Sequence, residues 1–256
     1  RLGHSVDHRI PLIVYSSHIY FEQTNIIPNL LPEGVAGFTE FLKGRVVLPL
    51  SGSFPEFERV LRHELVHVFT FDKIQQVSRR HGISDFGPAP LWFSEGLAEY
   101  WSSSWNSYGE MIVRDALFSG RLVPLQRIHL IHGTFQLYKQ GESLCAHMAR
   151  EYGEDIFPRL LENWWRSEDF AEVFEITTGD QLSELDENWR YRTEKRYLPE
   201  IAATDPPSQT AVALTHTGFN VKPQIIGANA DDFHLIFFRN HQGYTEIVSA
   251  SVDGEE

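Results

Sequence analysis

Two histidines and a glutamate in the segment Arg62–His67 have the residue types and the spacing needed to bind a metal ion. His63 and His67 are four residues apart, so on a helix both imidazoles project from one face and can hold a single ion. Glu64 lies beside that face, where it could take a proton from a water molecule that the ion activates. The alternative is a pair of histidines packed in a core helix without a metal.

The elements around this segment favour a buried helix. Residues 57–71 are largely apolar. Ser53 could cap the helix, with Pro55 in its first turn and Glu56 three residues after the cap. With 12 histidines among 256 residues, the H-E-x-x-H spacing arises by chance in roughly one such chain in twenty, so a further ligand is needed to support the prediction.

Glu95 and Glu99 are candidates to complete the site. Positions 68–94 are enough for the first helix to end, for a loop to turn, and for a second helix to run back past the first. Glu95 would then be the third protein ligand, with the fourth position open to water. Glu99, one turn further, could accept the N–H of a ligating histidine and fix its tautomer. The alternative is a pair of solvated carboxylates, and the aromatic and apolar neighbours Trp92, Phe93, Leu97, Ala98, Tyr100 and Trp101 argue against it.

The two motifs together, H-E-x-x-H followed by W-x-S-E-G-x-A-E-Y, resemble the gluzincin clan of metallopeptidases. The resemblance implies one zinc ion (Zn²⁺) bound by His63, His67 and Glu95. It also implies that Glu64 is the general base and that Glu99 supports a ligand from outside the coordination shell.

A third segment, Leu137–Gly141, is similar to the Y-E-K-G segment of aminopeptidase N-like enzymes. This implies that the Tyr138 hydroxyl stabilises the tetrahedral intermediate, although a tyrosine near a helix start can equally serve packing. Those enzymes also carry a G-x-M-E-N strand whose glutamate binds the free amine of the substrate, and nothing in residues 30–62 matches it. Glu33 or Glu40 could serve, but the spacing selects neither, so recognition of a free amine is unsupported.

Charge and composition exclude several kinds of partner. The formal net charge is −13, from 35 acidic and 22 basic residues, which disfavours nucleic acids and anionic membrane surfaces because both need clustered Lys and Arg. No stretch of about 18 apolar residues is present, so we expect no membrane span. The single cysteine, Cys145, lies in an apolar helical context and is expected to be a small buried residue.

The cellular location is left open by the sequence. The chain begins with Arg1 and shows no signal-peptide pattern, so either a targeting segment was removed or the fragment was trimmed. Poverty in cysteine fits the cytosol and the cell envelope equally. We expect a cell-envelope, periplasmic or secreted protein in preference to a cytoplasmic one.

The predicted fold is α+β, with a gluzincin-like metallopeptidase domain over residues 1–200. A small N-terminal β-sheet is predicted from residues 10–20, 35–41 and 45–50, and the last of these strands is expected at a sheet edge, where an extended peptide could pair with it. A mainly α-helical C-terminal part follows, with a loop predicted over residues 73–90. Its predicted helices cover residues 54–71, 91–104, 108–118, 134–152, 154–165, 168–177 and 181–196.

Residues 201–210 have the composition of a linker, and residues 211–256 are predicted to be a short all-β segment. Its strands are expected at Thr210–Thr215, His234–Arg239 and Glu246–Ser251. The pattern resembles one blade of a TolB-type β-propeller, although Ala228–Asp232 stands where that family has S-P-D-G. A lone blade cannot bury enough surface to fold. Either the segment packs on the first domain or, as we expect, it opens a propeller that continues past Glu256 and could recruit a protein partner.

The sequence therefore predicts a zinc-dependent peptidase that acts on a peptide or protein substrate. One alternative is a metal-dependent hydrolase of another amide or ester. A second alternative is a catalytically weak or inactive scaffold, in which the peptidase fold and the propeller serve protein interaction.

Overall fold

The computed structural model describes residues 2–28, 31, 34–84, 87–205, 207–229, 232–241 and 244–251, with side chains for all of these except 207, 208, 228, 229, 232, 233 and 244. The chain is 53% helix and 16% strand, in small sheets, so the fold is mixed α/β and compatible with the predicted α+β class. It divides into two compact units, residues 1–196 and residues 197–256.

The first unit contains a three-stranded sheet. Its strands are β1 (Leu12–Tyr15), β2 (Phe38–Glu40) and β3 (Arg45–Pro49). β1 runs parallel to β3 with Leu12 opposite Val46, and β2 runs antiparallel to β3 with Phe38 opposite Val47. β3 is therefore the central strand, and the prediction that it lies at an edge is wrong. Val46, Val47 and Leu48 are fully buried, as is typical of a strand with a partner on both sides.

The predicted strand over residues 10–20 is shorter in the structure and is followed by a helix. The hydroxyl of Ser17 accepts a hydrogen bond from the backbone N–H of Tyr20 at 3.4 Å. This cap starts the short helix α1 (His18–Glu22), which buries Phe21 completely. The β-rich composition of the segment did not reveal the cap, because serine is common both before helices and in turns.

Helix α2 (Phe54–Arg80) carries the H-E-x-x-H motif. The predicted cap is confirmed, since the Ser53 hydroxyl accepts the backbone N–H of Glu56 at 3.4 Å. The predicted loop over residues 73–90 is wrong in its first part. The helix continues for two more turns, because Ile74 and Val77 extend its buried face. It ends just before Gly82, which adopts a φ of +72°.

The remaining helices up to residue 202 follow in chain order. They are α3 (Leu91–Ser102), α4 (Ser107–Phe118), a 3-10 turn (Leu125–Ile131), α5 (Phe135–Tyr152), α6 (Ile156–Glu162), a 3-10 turn (Trp164–Arg166), α7 (Phe170–Thr178) and α8 (Leu182–Ala202). The predicted helix 154–165 is thus divided into α6 and a 3-10 turn. Gly153 ends α5 as predicted, and Cys145 is fully buried in that helix. Among the described helices, none is long and apolar enough to cross a membrane.

Helices α3 and α5 touch through their backbones at two glycines. A Cβ atom added to Gly96 would lie 2.3 Å from the carbonyl carbon of Gly141, and one added to Gly141 would lie 2.3 Å from the carbonyl oxygen of Trp92. No larger residue fits at either position without moving a helix. The contact brings the helix that carries Glu95 against the helix that carries Tyr138.

The second unit contains a short helix and an antiparallel three-stranded sheet. These are α9 (Pro207–Thr210), β4 (Phe219–Asn229), β5 (Asp232–His241) and β6 (Tyr244–Ser251), with β5 in the middle. The predicted strand at Thr210–Thr215 is wrong, because β5 pairs on that side with β4, so that Ile225 lies opposite Leu235. Val212 is 84% exposed, and among the described strands none pairs with this segment. The high β propensity of valine is therefore not sufficient to form a strand here.

The predicted propeller and domain boundaries remain predictions. Phe237, Val248 and Ala250 form a small core in the β4–β6 sheet. Three strands are described there, whereas a propeller blade has four. Helix α8 includes the first two positions of the predicted linker 201–210, and α9 occupies its last four. Residues 252–256 lie outside the described residues.

We expect Gly141→Ala to lower the free energy of unfolding by about 1–3 kcal/mol or more, because the new methyl group overlaps the backbone of α3. Thermal or urea unfolding measures the change. The control is Gly109→Ala within α4, where the nearest atoms are side-chain atoms of Trp105 at 3.2 Å; its effect should not exceed about 1 kcal/mol. Equal effects of the two substitutions would contradict the backbone contact.

Candidate metal centre

Helix α2 brings the two predicted histidine ligands together. His63 and His67 are one turn apart, their ring centroids are separated by 4.9 Å, and their Nε2 atoms are 3.2 Å apart. Both side chains are buried, with 8% and 9% of their surface exposed. The two imidazoles thus face one point, as the spacing predicts.

Helix α3 adds the predicted third ligand. Glu95 Oε2 lies 3.1 Å from Nε2 of His63 and 3.4 Å from Nε2 of His67. These three residues form a group that could hold a metal ion. Zinc bonds of about 2.0–2.1 Å in a tetrahedron place neighbouring ligand atoms about 3.3–3.4 Å apart. The three observed separations match that value within a few tenths of an ångström, so the residues present fit such an ion.

The other nitrogen of each imidazole faces an oxygen. Nδ1 of His63 lies 3.0 Å from Glu99 Oε1, an ion-pair contact. Its angle is outside that of an aligned hydrogen bond, so the carboxylate favours a proton on this nitrogen through its charge. Nδ1 of His67 lies 3.2 Å from Ser94 Oγ. With the proton on Nδ1, each ring presents the lone pair of Nε2 to the shared point.

Sequence reasoning gave Ser94 no role, although it belongs to the W-x-S-E-G motif. The available signal was its position directly before Glu95 on the same helix. A serine in a helix is common for many other reasons. Its contact with His67 depends on how α3 packs against α2.

The charges of the site favour a bound cation. Burial acts to raise the pKa of Glu95, but hydrogen bonds and charges of His63 and His67 hold it at about 2. Burial also acts to raise the pKa of Glu99, but the contacts with His63 and Lys139 lower it to about 2. Burial acts to lower the pKa of His63, and the two carboxylates raise it to about 9. In the protein alone, a proton on His63 offsets part of the negative charge of Glu95 and Glu99. A metal cation would compete with that proton for the imidazole.

Glu64 is placed beside the three ligands and has a partner that the sequence did not indicate. Its side chain is 5% exposed, and burial raises the pKa of the carboxyl group. The hydroxyl of Thr39, on strand β2, lies 2.8 Å from Glu64 Oε2 and donates to it. Thr39 was missed because no local pattern relates a strand residue to a helix 25 positions later.

Tyr138 lies at the site, as the resemblance implied. Its ring centroid is 6.4 Å from that of His63. Burial first, and then the charges of Glu95, Glu64 and Glu99, raise the pKa of the phenol to about 12. The hydroxyl therefore stays protonated at neutral pH and can act as a hydrogen-bond donor.

Neither candidate for binding a free amine gains support. Glu40 forms an ion pair with Arg45 at 2.9 Å and accepts the backbone N–H of Leu42 at 2.7 Å. Its carboxylate is thus already used at the end of β2. Glu33 lies outside the described residues.

Comparison with known proteins adds one distant relative. No protein-family model matches the chain. An uncharacterized protein of Bacillus subtilis (strain 168), YhcO, is 24% identical to it over 147 residues, which cover 54% of this chain and 42% of that protein. The chain thus spans less than half the length of this relative. The likeness assigns no activity.

We expect the purified chain to bind about one equivalent of zinc, and Glu95→Gln to weaken binding at least about 100-fold, because it removes a charged ligand. Metal analysis after gel filtration and competition with a chromogenic chelator measure both quantities. The control is His81→Ala, at the C-terminal cap of α2 and outside the group. Zinc retained by Glu95→Gln with unchanged affinity would refute this ligand set.

Proposed function

We propose that this chain is a zinc-dependent peptidase of the gluzincin type, which hydrolyses peptide bonds with Glu64 as general base. The observation that carries the proposal is the convergence of His63 Nε2, His67 Nε2 and Glu95 Oε2 at separations of 3.1–3.4 Å, with Glu64 beside them. Two imidazoles, one carboxylate and an open fourth position are the ligand set of a catalytic zinc site, whereas a structural zinc site has four protein ligands.

The chain's own residues can perform each proton transfer of amide hydrolysis. A zinc ion bound at the site would supply the Lewis acid that lowers the pKa of water and polarises the scissile carbonyl. Glu64 accepts the proton of the attacking water and then delivers it to the leaving amine. Tyr138 donates a hydrogen bond to the oxyanion. Thr39 holds the Glu64 carboxylate, and Glu99 holds the ring of His63.

The position of strand β2 supports a peptide as the substrate class. Within the described residues β2 pairs with β3 on one side only, and its Thr39 hydroxyl touches the proposed general base. An extended peptide can add to such an edge through backbone hydrogen bonds that do not depend on side-chain identity. The edge strand beside the site is therefore β2, in place of the strand 45–50 expected from the sequence.

We expect Glu64→Gln to lower the kcat/KM for peptide cleavage by roughly 10²–10⁴-fold while zinc binding is kept, because the amide cannot accept the proton. A peptide-library digest read by mass spectrometry measures cleavage and also distinguishes internal from terminal cutting. The control is Glu58→Gln on the same helix, whose carboxylate is 61% exposed and bound to Arg62.

Two results would contradict this proposal. Equal activity of Glu64→Gln and wild type would exclude Glu64 as the base. Zinc at one equivalent with no cleavage of any library peptide by the wild type would favour the scaffold alternative, in which the site binds metal without turnover.

We expect Tyr138→Phe to lower kcat by roughly 10²–10³-fold with little change in KM or zinc content, because the lost donor acts on charge that develops in the transition state. Steady-state kinetics on the best library peptide give the two constants. Tyr152→Phe, on the same helix, removes a hydroxyl that binds Asp180 at 2.9 Å and serves as the control. An unchanged kcat in Tyr138→Phe would assign Tyr138 to packing.

A further inference from the structure

A buried network of charges adjoins the candidate metal centre. Lys139, on α5, is 7% exposed, and its Nζ atom lies 2.5 Å from Glu99 Oε2 and 2.9 Å from Glu142 Oε2. On the other side, Arg59 Nη1 lies 3.5 Å from Glu99 Oε1. The charges thus alternate in sign from α2 through α3 to α5.

The burial of this lysine is costly and therefore calls for an explanation. Lysine is rarely buried, and a buried ion pair recovers its desolvation cost only with good geometry. Lys139 has two carboxylate partners, whose side chains are only 8% and 2% exposed. Lys73, the other buried lysine of the described residues, pairs with Glu162, whose side chain is 47% exposed. Packing of α5 on α3 alone would be served as well by an apolar residue.

The two oxygens of Glu99 have separate partners. Oε2 is held by Lys139 at 2.5 Å. Oε1 lies 3.0 Å from Nδ1 of His63 and accepts a weaker hydrogen bond from Arg59 Nη1 at 3.5 Å. A carboxylate can rotate about its last side-chain bond, which is a broad torsion. The bond to Lys139 restricts that rotation and leaves Oε1 facing the imidazole.

We propose that Lys139 is a positioning residue of the metal centre. It fixes the carboxylate of Glu99, which in turn keeps the proton on Nδ1 of His63 and directs Nε2 to the metal. Partners of this kind, one step outside the ligands, raise metal affinity by orienting the ligand. The inference rests on the metal centre of the proposed function and does not depend on peptidase activity. The proposal implies that Lys139 increases zinc affinity and that this effect depends on the carboxylate of Glu99.

The test is a measurement of the zinc dissociation constant by chelator competition on the full chain. We expect Lys139→Met, which keeps the length of the side chain and removes its charge, to weaken zinc binding about 10-fold or more. Lys73→Met, the matched control at a buried lysine of α2, should change the constant by less than about twofold, because its partner is remote from the ligands.

A second background separates positioning from general stability. In a Glu99→Gln chain, Lys139→Met should change zinc affinity by less than about threefold, because the group through which Lys139 acts is altered. If Lys139→Met does not fold, Lys139→Met/Glu142→Gln removes one charge of each sign and is measured in its place. Thermal unfolding in EDTA reports the stability of each metal-free variant.

Each outcome is decisive. An affinity loss in the wild-type background that disappears with Glu99→Gln supports the proposal. An unchanged affinity in Lys139→Met, or an equal loss in both backgrounds, overturns it while the zinc centre stands. A wild-type chain that takes up no zinc overturns the proposed function and this inference together.

Discussion

The geometry of the candidate site depends on the contact of α3 with α5 at Gly96 and Gly141. The backbones meet where an added methyl group would lie 2.3 Å from a main-chain carbon, so the two helix backbones are in direct contact. Helix α2 also packs on α3, so side chains from three helices meet at the candidate site. The candidate ligands, the proposed general base and the candidate oxyanion donor lie on helices and not on loops, which limits their freedom to move.

Burial of so many ionisable groups has an energetic cost that the site must offset. His63, Glu64, Glu99, Lys139 and Glu142 are all less than one tenth exposed. Desolvation disfavours each charged form, and neighbours of opposite charge oppose that effect. The shifted pKa values of Glu95 and His63 follow from this competition. A protein that needed only stability could fill the same space with apolar side chains, so the concentration of charge supports this cluster as a candidate functional site.

The small sheet contributes through one residue at its edge. β3 lies in the middle and is buried, whereas β2 pairs with it on one side. The hydroxyl of Thr39, on β2, donates a hydrogen bond to Glu64. The strand thus supports the proposed base and at the same time offers a polar edge beside it. A strand of three residues has little stability of its own. Its pairing with β3 and its hydrogen bond to Glu64 hold it at the site.

Local pattern was sufficient for most helices of the first unit, for the Ser53 cap and for the grouping of His63, His67 and Glu95. The spacing of His63 and His67 is a property of any helix. Ser53 marks a helix start through its side-chain hydroxyl, and Gly153 marks a helix end through its positive φ. The sequence pattern does not indicate which distant residues of the chain each strand or side chain contacts. The place of β3 in the sheet and the pairing of β4 with β5 are set by contacts between distant segments. The same holds for the hydrogen bonds of Thr39, Ser94 and Lys139. Such contacts leave no periodic trace in the sequence, because each depends on how two complete elements pack.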